Sequence, residues 1–261
     1  MEKRKNISKL NKFYKPARSN DDIIFGRHAV LEALKAGKGL EKLFIQKGTS
    51  GDSLNEIKTL VKSSATPMSP VPIEKLNRLT RKNHQGVVGI LSLIEYSSLH
   101  HIISKCFDEG RNPLVVILDQ ITDVRNLGAI ARSSECAGAD TIVIPTVGSA
   151  QINSDAIKTS AGALNHIPVC KENNLYETCR YLKDSGIQLV ACTEKSTTSY
   201  YKADLAGPVA LIMGSEETGI SNQLLKVIDQ EVSIPMHGKI GSLNVSNAAA
   251  VMLFEVLRQR G

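Results

Sequence analysis

Short apolar runs alternate with amphipathic helical segments along the first ninety residues. Residues 25–37 have apolar positions at helical spacing and end in glycine, which predicts a helix. Residues 42–46 and 86–93 have the length and apolar content of strands, and residues 54–61 and 73–79 are predicted as helices. This alternation indicates a small α/β unit.

The alternation of strands and helices becomes stronger from Pro113 onward. Residues 114–119 form a continuous apolar run, as expected for a strand that is buried on both faces. Further strands are predicted at residues 141–144, 188–192, 209–213 and 231–234, and helices at residues 128–138 and 247–258. Strands that alternate with helices predict a parallel sheet covered on both sides.

The length of 261 residues favours two domains, and a change of pattern separates them. Three prolines in residues 66–72 interrupt helical spacing within the first unit. Four segments are predicted: a disordered basic arm (1–21), a small α/β domain (22–96), a linker (97–111) that includes a helix at residues 99–107, and a larger domain (112–261).

The net charge of +6 is located in the amino-terminal arm. The first twenty residues contain seven basic side chains and one acidic side chain, whereas the remaining residues are balanced. Phe13 and Tyr14 add aromatic rings on which bases can stack. We expect the arm to contact nucleic acid, and a solubilising tail is the alternative.

Several classes of protein and site are not supported by the sequence. Five cysteines without a CxxC pair favour a reducing cytoplasm over a disulfide framework, and no zinc or other metal site is expected. No apolar run approaches the ~18 residues of a membrane helix, and the first residues lack the apolar core of a secretory signal. No GxGxxG, GxSxG or HExxH motif occurs.

Three segments rich in glycine and polar residues lie at predicted strand ends: 118–132, 212–221 and 234–247. Ligands of open α/β sheets bind outside the carboxyl ends of the strands, so these loops are expected to form one pocket. The second loop has the glycine spacing of a P-loop. However, Ile220 occupies the lysine position, and Glu216 and Glu217 would repel a phosphate.

These three loops resemble the three motifs of the SpoU (TrmH-like) family of RNA 2′-O-ribose methyltransferases, within the trefoil-knotted SPOUT superfamily. The matching residues are, motif by motif, Asn126-Leu127-Gly128 with Arg132, then Gly214-Ser215-Glu216, then Ile234-Pro235-Met236 with Ser242-Leu243-Asn244-Val245-Ser246. Residues 22–95, with FGRHAVLEAL and HQGVVGIL, resemble the small RNA-binding domain of the branch that acts on large-subunit ribosomal RNA.

The resemblance implies a fold and an activity. The fold would be α/β, with a knotted parallel-sheet methyltransferase domain preceded by a small α/β RNA-binding domain. The activity would be methyl transfer from S-adenosylmethionine to the ribose 2′-hydroxyl of a guanosine in 23S ribosomal RNA, by a cytoplasmic homodimer. The alternatives are a tRNA-modifying or antibiotic-resistance methyltransferase of the same family, and a non-catalytic RNA-binding protein.

The resemblance also implies two sets of site residues. The expected catalytic residues are Arg132, Asn126, Glu216, Ser242 and Asn244. The expected cofactor-binding residues are Thr193, Gly214, Ile234 and Leu243. Arg132 is expected at the ribose hydroxyl, as a base or as a stabiliser of the developing alkoxide. The alternative for Asn126 and Ser242 is a structural role as turn or helix caps.

Overall fold

The computed structural model describes residues 23–63 and 66–261 and contains two β-sheets. The basic arm of residues 1–21 lies outside the described residues. The first sheet belongs to the amino-terminal part of the chain, and the second belongs to the carboxyl-terminal part. The predicted fold class is confirmed: a small α/β unit precedes a larger one that is built on a parallel sheet.

The first sheet has four strands in the order β1-β4-β2-β3. Strands β1 and β2 are antiparallel to β4, and β3 is parallel to β2. The elements are β1 (Ile23–Phe25), α1 (Arg27–Lys35), β2 (Leu40–Gln46), α2 (Asp52–Ser63), β3 (Met68–Val71), α3 (Ile73–Leu79) and β4 (Val87–Leu91).

Two strands of this sheet were not predicted from the sequence. Strand β1 has only three residues, which is too short for an alternating pattern. Strand β3 contains Pro70, so its proline content hid it. Proline cannot donate a ladder hydrogen bond and is tolerated at sheet edges, and β3 is an edge strand.

The second sheet has six strands in the order β10-β8-β9-β5-β6-β7, and all of its strand pairs are parallel. Its strands are β5 (Leu114–Leu118), β6 (Thr141–Pro145), β7 (Val169–Glu172), β8 (Gln188–Cys192), β9 (Val209–Met213) and β10 (Gln230–Val232). Its helices are α4 (Leu99–Asp108), α5 (Val124–Cys136), α6 (Ser154–Thr159), α7 (Leu175–Asp184), α8 (Asn222–Leu225) and α9 (Val245–Arg260).

Both faces of the second sheet are buried, as the apolar run at residues 114–119 predicts. Alternate residues of β5 enter different clusters: Val116 packs in one hydrophobic core and Ile117 in the other. Helices α5 and α9 pack against each other on the first of these cores. This arrangement leaves the loops that follow the strands free to form a site.

Two helices of this unit begin earlier than the sequence predicts. Helix α5 begins at Val124, and Asp123 caps it by accepting a hydrogen bond from the Arg125 N–H at 2.7 Å. Helix α9 begins at Val245, with Asn244 as its cap. Strand β7 was not predicted.

The segment assigned to a linker contains helix α4, whose Leu99 and Ile103 pack in the second core.

Near this segment, a buried ion pair joins the two sheets. Lys171 on β7 lies 3.0 Å from Glu41 on β2, and the Tyr96 hydroxyl donates a 2.5 Å hydrogen bond to the same carboxylate. None of the described helices has the length and hydropathy that crossing a membrane requires.

Candidate active site

A cavity of about 810 Å³ lies at the carboxyl ends of β8, β9 and β10. Thr193 follows β8, Gly214 follows β9 and Ile234 follows β10. All four predicted cofactor-binding residues line this cavity, including Leu243, and so do three of the predicted catalytic residues: Glu216, Ser242 and Asn244. The carboxyl ends of parallel strands have therefore brought together loops that are distant in sequence.

The loop after β9 closes on itself. The N–H of Ser215 donates to the carbonyl of Gly219 at 3.1 Å, and the reverse bond measures 2.8 Å. A β-carbon on Gly214 would lie 2.5 Å from the Gly219 carbonyl oxygen and would overlap the backbone at Ile220. The close approach that glycine permits here is thus between two parts of the loop itself.

We expect Gly214→Ala to destabilise the protein by about 1–3 kcal/mol, because the loop must open to admit the methyl group. The same opening should weaken cofactor binding, because the loop forms one wall of the cavity. Thermal unfolding and calorimetric titration measure the two effects. Gly207→Ala is the matched control, since a β-carbon at Gly207 meets no atom within 4 Å. Equal behaviour of the two variants would contradict this explanation.

The carboxylate of Glu216 joins three segments of the site. Its Oε1 atom accepts hydrogen bonds from the Asn126 side chain at 3.1 Å, from the Asn244 side chain and from the Val245 backbone N–H at 3.2 Å. The Asn244 side chain also donates to the side-chain oxygen Oδ1 of Asn126 at 3.0 Å. One acidic oxygen therefore connects the loop after β9 to the amino-terminal ends of α5 and α9.

These contacts exclude a role for the Asn126 side chain as the cap of α5. Its side chain does not cap α5, because Asp123 does so, and it faces Glu216 instead. Asn244 has both roles: it caps α9 through the Ser246 N–H and also contacts Glu216.

Gly128 allows α5 to pack closely on α6, since a β-carbon there would lie 2.7 Å from Thr159 Cβ.

We expect Glu216→Ala to lower the methylation rate by about 10²-fold, because three segments lose the acceptor that aligns them. The melting temperature should change little, since the side chains of Glu216 and Asn244 are exposed. Glu135→Ala removes the same charge from an exposed position of α5 outside the cavity, where the carboxylate accepts no hydrogen bond from a described residue, and should retain activity. Similar losses in both variants would indicate a general charge effect.

Arg132 and Ser242 remain outside this network. Arg132 lies on α5 six residues beyond Asn126, which is about 9 Å along the helix axis. Its side chain is exposed and forms no hydrogen bond or ion pair within residues 23–63 and 66–261. Ser242 is exposed at the cavity wall. Both side chains are available to a ligand.

A buried carboxylate beneath the site, Asp119, was not among the site residues predicted from the sequence. Asp119 ends the apolar run of β5 and is 5 % exposed. It accepts a 2.7 Å hydrogen bond from the Ser221 N–H, which ties the loop after β5 to the loop after β9. Gln120 beside it has a φ of 59°, which is uncommon for a residue other than glycine. An acidic residue directly after a fully buried strand was the available signal.

The lining of the cavity favours a cationic ligand with an apolar part, and it offers no reactive thiol. Burial raises the pKa of the Cys192 thiol to about 11, so it is protonated at neutral pH and is a poor nucleophile. Within the described residues, no group of histidine, cysteine or acidic side chains could hold a metal ion. Glu216 and Glu217 favour a cationic ligand over a phosphate, and Ile234 and Leu243 offer apolar contact.

Comparison with protein families gives two matches. Residues 23–97 match a model described as RNA 2′-O ribose methyltransferase substrate binding. Residues 113–254 match the model of the SpoU rRNA Methylase family. The chain belongs to the SpoU family of RNA methyltransferases. The SpoU match over residues 113–254 includes Asn126, Glu216 and Asn244.

Relatives and solved structures agree with this assignment. A Staphylococcus saprophyticus protein named as a TrmH family tRNA/rRNA methyltransferase is 35 % identical over 91 % of this chain and 96 % of its own length. An AdoMet-bound rRNA methyltransferase from Sinorhizobium meliloti is 26 % identical, with a TM-score of 0.56, and covers 90 % of this SpoU chain and 86 % of its own. A TrmH/SpoU tRNA-modifying enzyme from A. aeolicus, with 26 % identity and a TM-score of 0.53, covers 61 % of this chain and 84 % of its own.

Proposed function

We propose that this SpoU protein methylates the ribose 2′-hydroxyl of a guanosine in 23S ribosomal RNA, with S-adenosylmethionine as the methyl donor. The observation that carries the proposal is the cluster of Asn126, Glu216 and Asn244 beside the cavity. Residues from all three motifs meet there in one hydrogen-bonded arrangement. A non-catalytic RNA-binding protein would have no need to retain such an arrangement.

The cavity fits S-adenosylmethionine by size and by the chemistry of its lining. Its volume lies within the range of ~300–1,000 Å³ that is typical of small-molecule sites. Ile234 and Leu243 would pack against the adenine, and backbone groups of Gly214, Ile234 and Leu243 would hold the adenosine. Glu216 and Glu217 would favour the cationic groups of the ligand, and Lys195 would favour its carboxylate. When bound, the cofactor supplies a methyl group activated by a sulfonium.

The chain's own residues must then activate and position the RNA. A 2′-hydroxyl is a poor nucleophile near neutral pH and must lose its proton as its oxygen bonds to the methyl carbon. Arg132, with an exposed guanidinium that no described protein group occupies, would act at this hydroxyl as base or as stabiliser of the alkoxide. Asn126, Glu216 and Asn244 would hold α5 and the loops in register, and Ser242 would contact the ribose.

Binding calorimetry tests the cofactor assignment. We expect S-adenosylhomocysteine to bind and ATP to bind far more weakly, because Glu216 and Glu217 face the cavity and repel a triphosphate. Adenosine serves as the control, since it shares the base and ribose of both ligands without the charges. ATP affinity equal to that of S-adenosylhomocysteine would contradict the assignment.

The presence of the amino-terminal unit supports ribosomal RNA as the substrate, because the solved structures that share more of this chain include an rRNA methyltransferase. The A. aeolicus enzyme whose description mentions tRNA covers a smaller share of this chain than the Sinorhizobium rRNA methyltransferase does. Mass mapping of 2′-O-methyl sites in a strain lacking the gene tests this choice. Loss of one guanosine methyl in 23S ribosomal RNA supports the proposal, and loss restricted to tRNA contradicts it.

The proposal includes a homodimer. Helix α9 exposes Phe254 and Leu257, which lie three residues apart on one helix face and are 49 % and 43 % exposed. Such a face is expected where another chain packs. Sedimentation of the native protein and of Phe254→Glu tests whether this face joins two copies.

A further inference from the structure

A second cleft, of about 610 Å³, lies on the amino-terminal unit and is not used by the proposed chemistry. It is formed by the start of α1, the end of β2, helix α3 and the loop of residues 80–86. The loop contains the His84-Gln85-Gly86 sequence. We call this surface the Gln85 cleft.

The Gln85 cleft is basic. Arg27, Arg81 and Lys82 line it, and no aspartate or glutamate does. None of these three side chains forms an ion pair with a residue in the described part of the chain. The positive potential of the cleft therefore favours the binding of a polyanion.

Backbone carbonyls, and no carboxylate, hold the Arg27 side chain in place. Its Nε atom donates to the carbonyl of Gln85 at 3.2 Å, and its Nη1 atom donates to the carbonyl of Ser50 at 3.1 Å. Both acceptors are neutral, so the guanidinium keeps its positive charge and its remaining N–H groups. A guanidinium held in this way is ready to receive a phosphate oxygen.

The loop itself is preorganised by a buried histidine. His84 is 7 % exposed, and its Nδ1 atom accepts a 3.1 Å hydrogen bond from the Gly86 N–H. The proton of the neutral ring is then on Nε2, which donates to the Asn77 carbonyl oxygen at 2.9 Å. Consequently the NH₂ group of Asn77 remains as a donor at the wall of the cleft.

The backbone at Gln85 is strained. Its φ is 50°, a left-handed conformation that residues other than glycine rarely adopt. The conformation is maintained because the Gln85 side-chain oxygen accepts a 3.1 Å hydrogen bond from the Arg27 N–H. Strain that the surroundings hold in place is common at binding sites. Ile73, which is 42 % exposed, adds an apolar surface to the same cleft.

We propose that the Gln85 cleft binds one unpaired nucleotide of the RNA substrate, which rests on the proposed function of the chain. Arg81 and Lys82 contact the flanking phosphates, and Asn77 donates to the edge of the base, which packs on Ile73. An unpaired nucleotide fits because a concave cleft with an amide donor can read a splayed base, whereas side chains cannot read the deep, narrow major groove of an A-form duplex.

The test uses the full chain and two fluorescent probes: a 14-nucleotide single-stranded RNA of mixed sequence and a duplex of the same length. Arg81→Gln/Lys82→Gln should weaken single-strand binding and reduce the slope of log K against log salt by about 1.4, the value for two lost phosphate contacts. Lys38→Gln/Lys62→Gln removes the same charge from exposed positions outside the cleft and should change neither quantity. An equal effect of both double variants would overturn the proposal.

Asn77→Asp, measured beside Asn83→Asp, separates base reading from charge repulsion and from folding. Both variants place one negative charge at the cleft, and only Asn77 is proposed to donate to the base. The Asn77→Asp side chain keeps an oxygen that accepts from His84 but loses the NH₂ donor, so the loop should stay folded. We expect Asn77→Asp to lose at least tenfold more single-strand affinity than Asn83→Asp, with the affinity for S-adenosylhomocysteine unchanged in both. Equal losses in the two variants would show charge repulsion alone and would overturn the proposal. Unchanged single-strand affinity, or an equal loss for the duplex, would overturn the proposal.

A methylation assay distinguishes this inference from the proposed function. If the native protein methylates RNA and the cleft variants raise KM without lowering kcat, both statements are supported. If the native protein methylates RNA and the cleft variants match it, only the inference about the cleft is overturned. If the native protein transfers no methyl group to RNA, the proposed function fails, and the cleft proposal that rests on it fails as well.

Discussion

Arg132→Lys is expected to lower the single-turnover rate of RNA methylation by about 10²-fold or more, while cofactor affinity and melting temperature stay near native values. Lysine keeps the positive charge but loses the planar fork that can hold a phosphate oxygen and the ribose hydroxyl together. Arg132→Ala should be little worse than Arg132→Lys if geometry supplies most of the effect.

The structure makes this prediction sharper than the sequence alone does. Arg132 is exposed and binds no described protein group, so its replacement removes no contact that stabilises the fold. Arg125→Lys on the same helix is the matched control, because Arg125 is also exposed and forms only a 3.7 Å ion pair with Asp123. Loss of melting temperature together with activity would instead assign Arg132 a structural role. A lysine variant with native activity would remove Arg132 from the active site.

Lys171→Met is expected to destabilise the protein by about 3–5 kcal/mol, because it leaves the Glu41 carboxylate buried without its cation. Both side chains are nearly buried, with 11 % and 7 % exposure. Burial, together with the neighbouring carboxylate of Glu41, raises the pKa of the Tyr96 hydroxyl, so Tyr96 stays protonated and keeps its hydrogen bond to Glu41. A neutral hydroxyl supplies no positive charge, so the carboxylate is left without a cation. The melting temperature should fall by about 10 °C.

Glu41→Gln/Lys171→Met should recover most of this loss. The double variant removes both charges, and the glutamine oxygen can still accept the Tyr96 hydrogen bond. The ion pair joins β2 of the first sheet to β7 of the second, so the single variant should also loosen the connection between the two units. A single variant as stable as the native protein would show that the pair contributes nothing.

The sequence predicted the second unit better than the first. Continuous apolar strands such as β5 are recognisable because both faces are buried. Strand β3 was missed because its proline is tolerated only at the edge of a sheet, and edge position is a property of the assembled sheet. Strand β1 is defined by its pairing with β4 more than by its own three residues.

The sequence indicated which residues line the cavity, but it did not indicate which hydrogen bonds join them. The three motifs supplied the lining residues and the partners of Glu216, since loops after parallel strands converge. The sequence did not indicate that Glu216 receives three hydrogen bonds through one oxygen, or that Gly214 is needed by its own loop. These contacts depend on distances between segments up to 118 residues apart, which local patterns do not encode.

Incubation of the purified full chain with S-adenosylmethionine and RNA from a strain lacking the gene tests the central claim most directly. Complete digestion to nucleosides, followed by mass spectrometry, identifies the methylated atom. The account predicts 2′-O-methylguanosine from the ribosomal RNA fraction, and its loss with Glu216→Ala and Arg132→Lys. Methylation of a base, or no transfer to RNA by a native protein that binds S-adenosylhomocysteine, would contradict it.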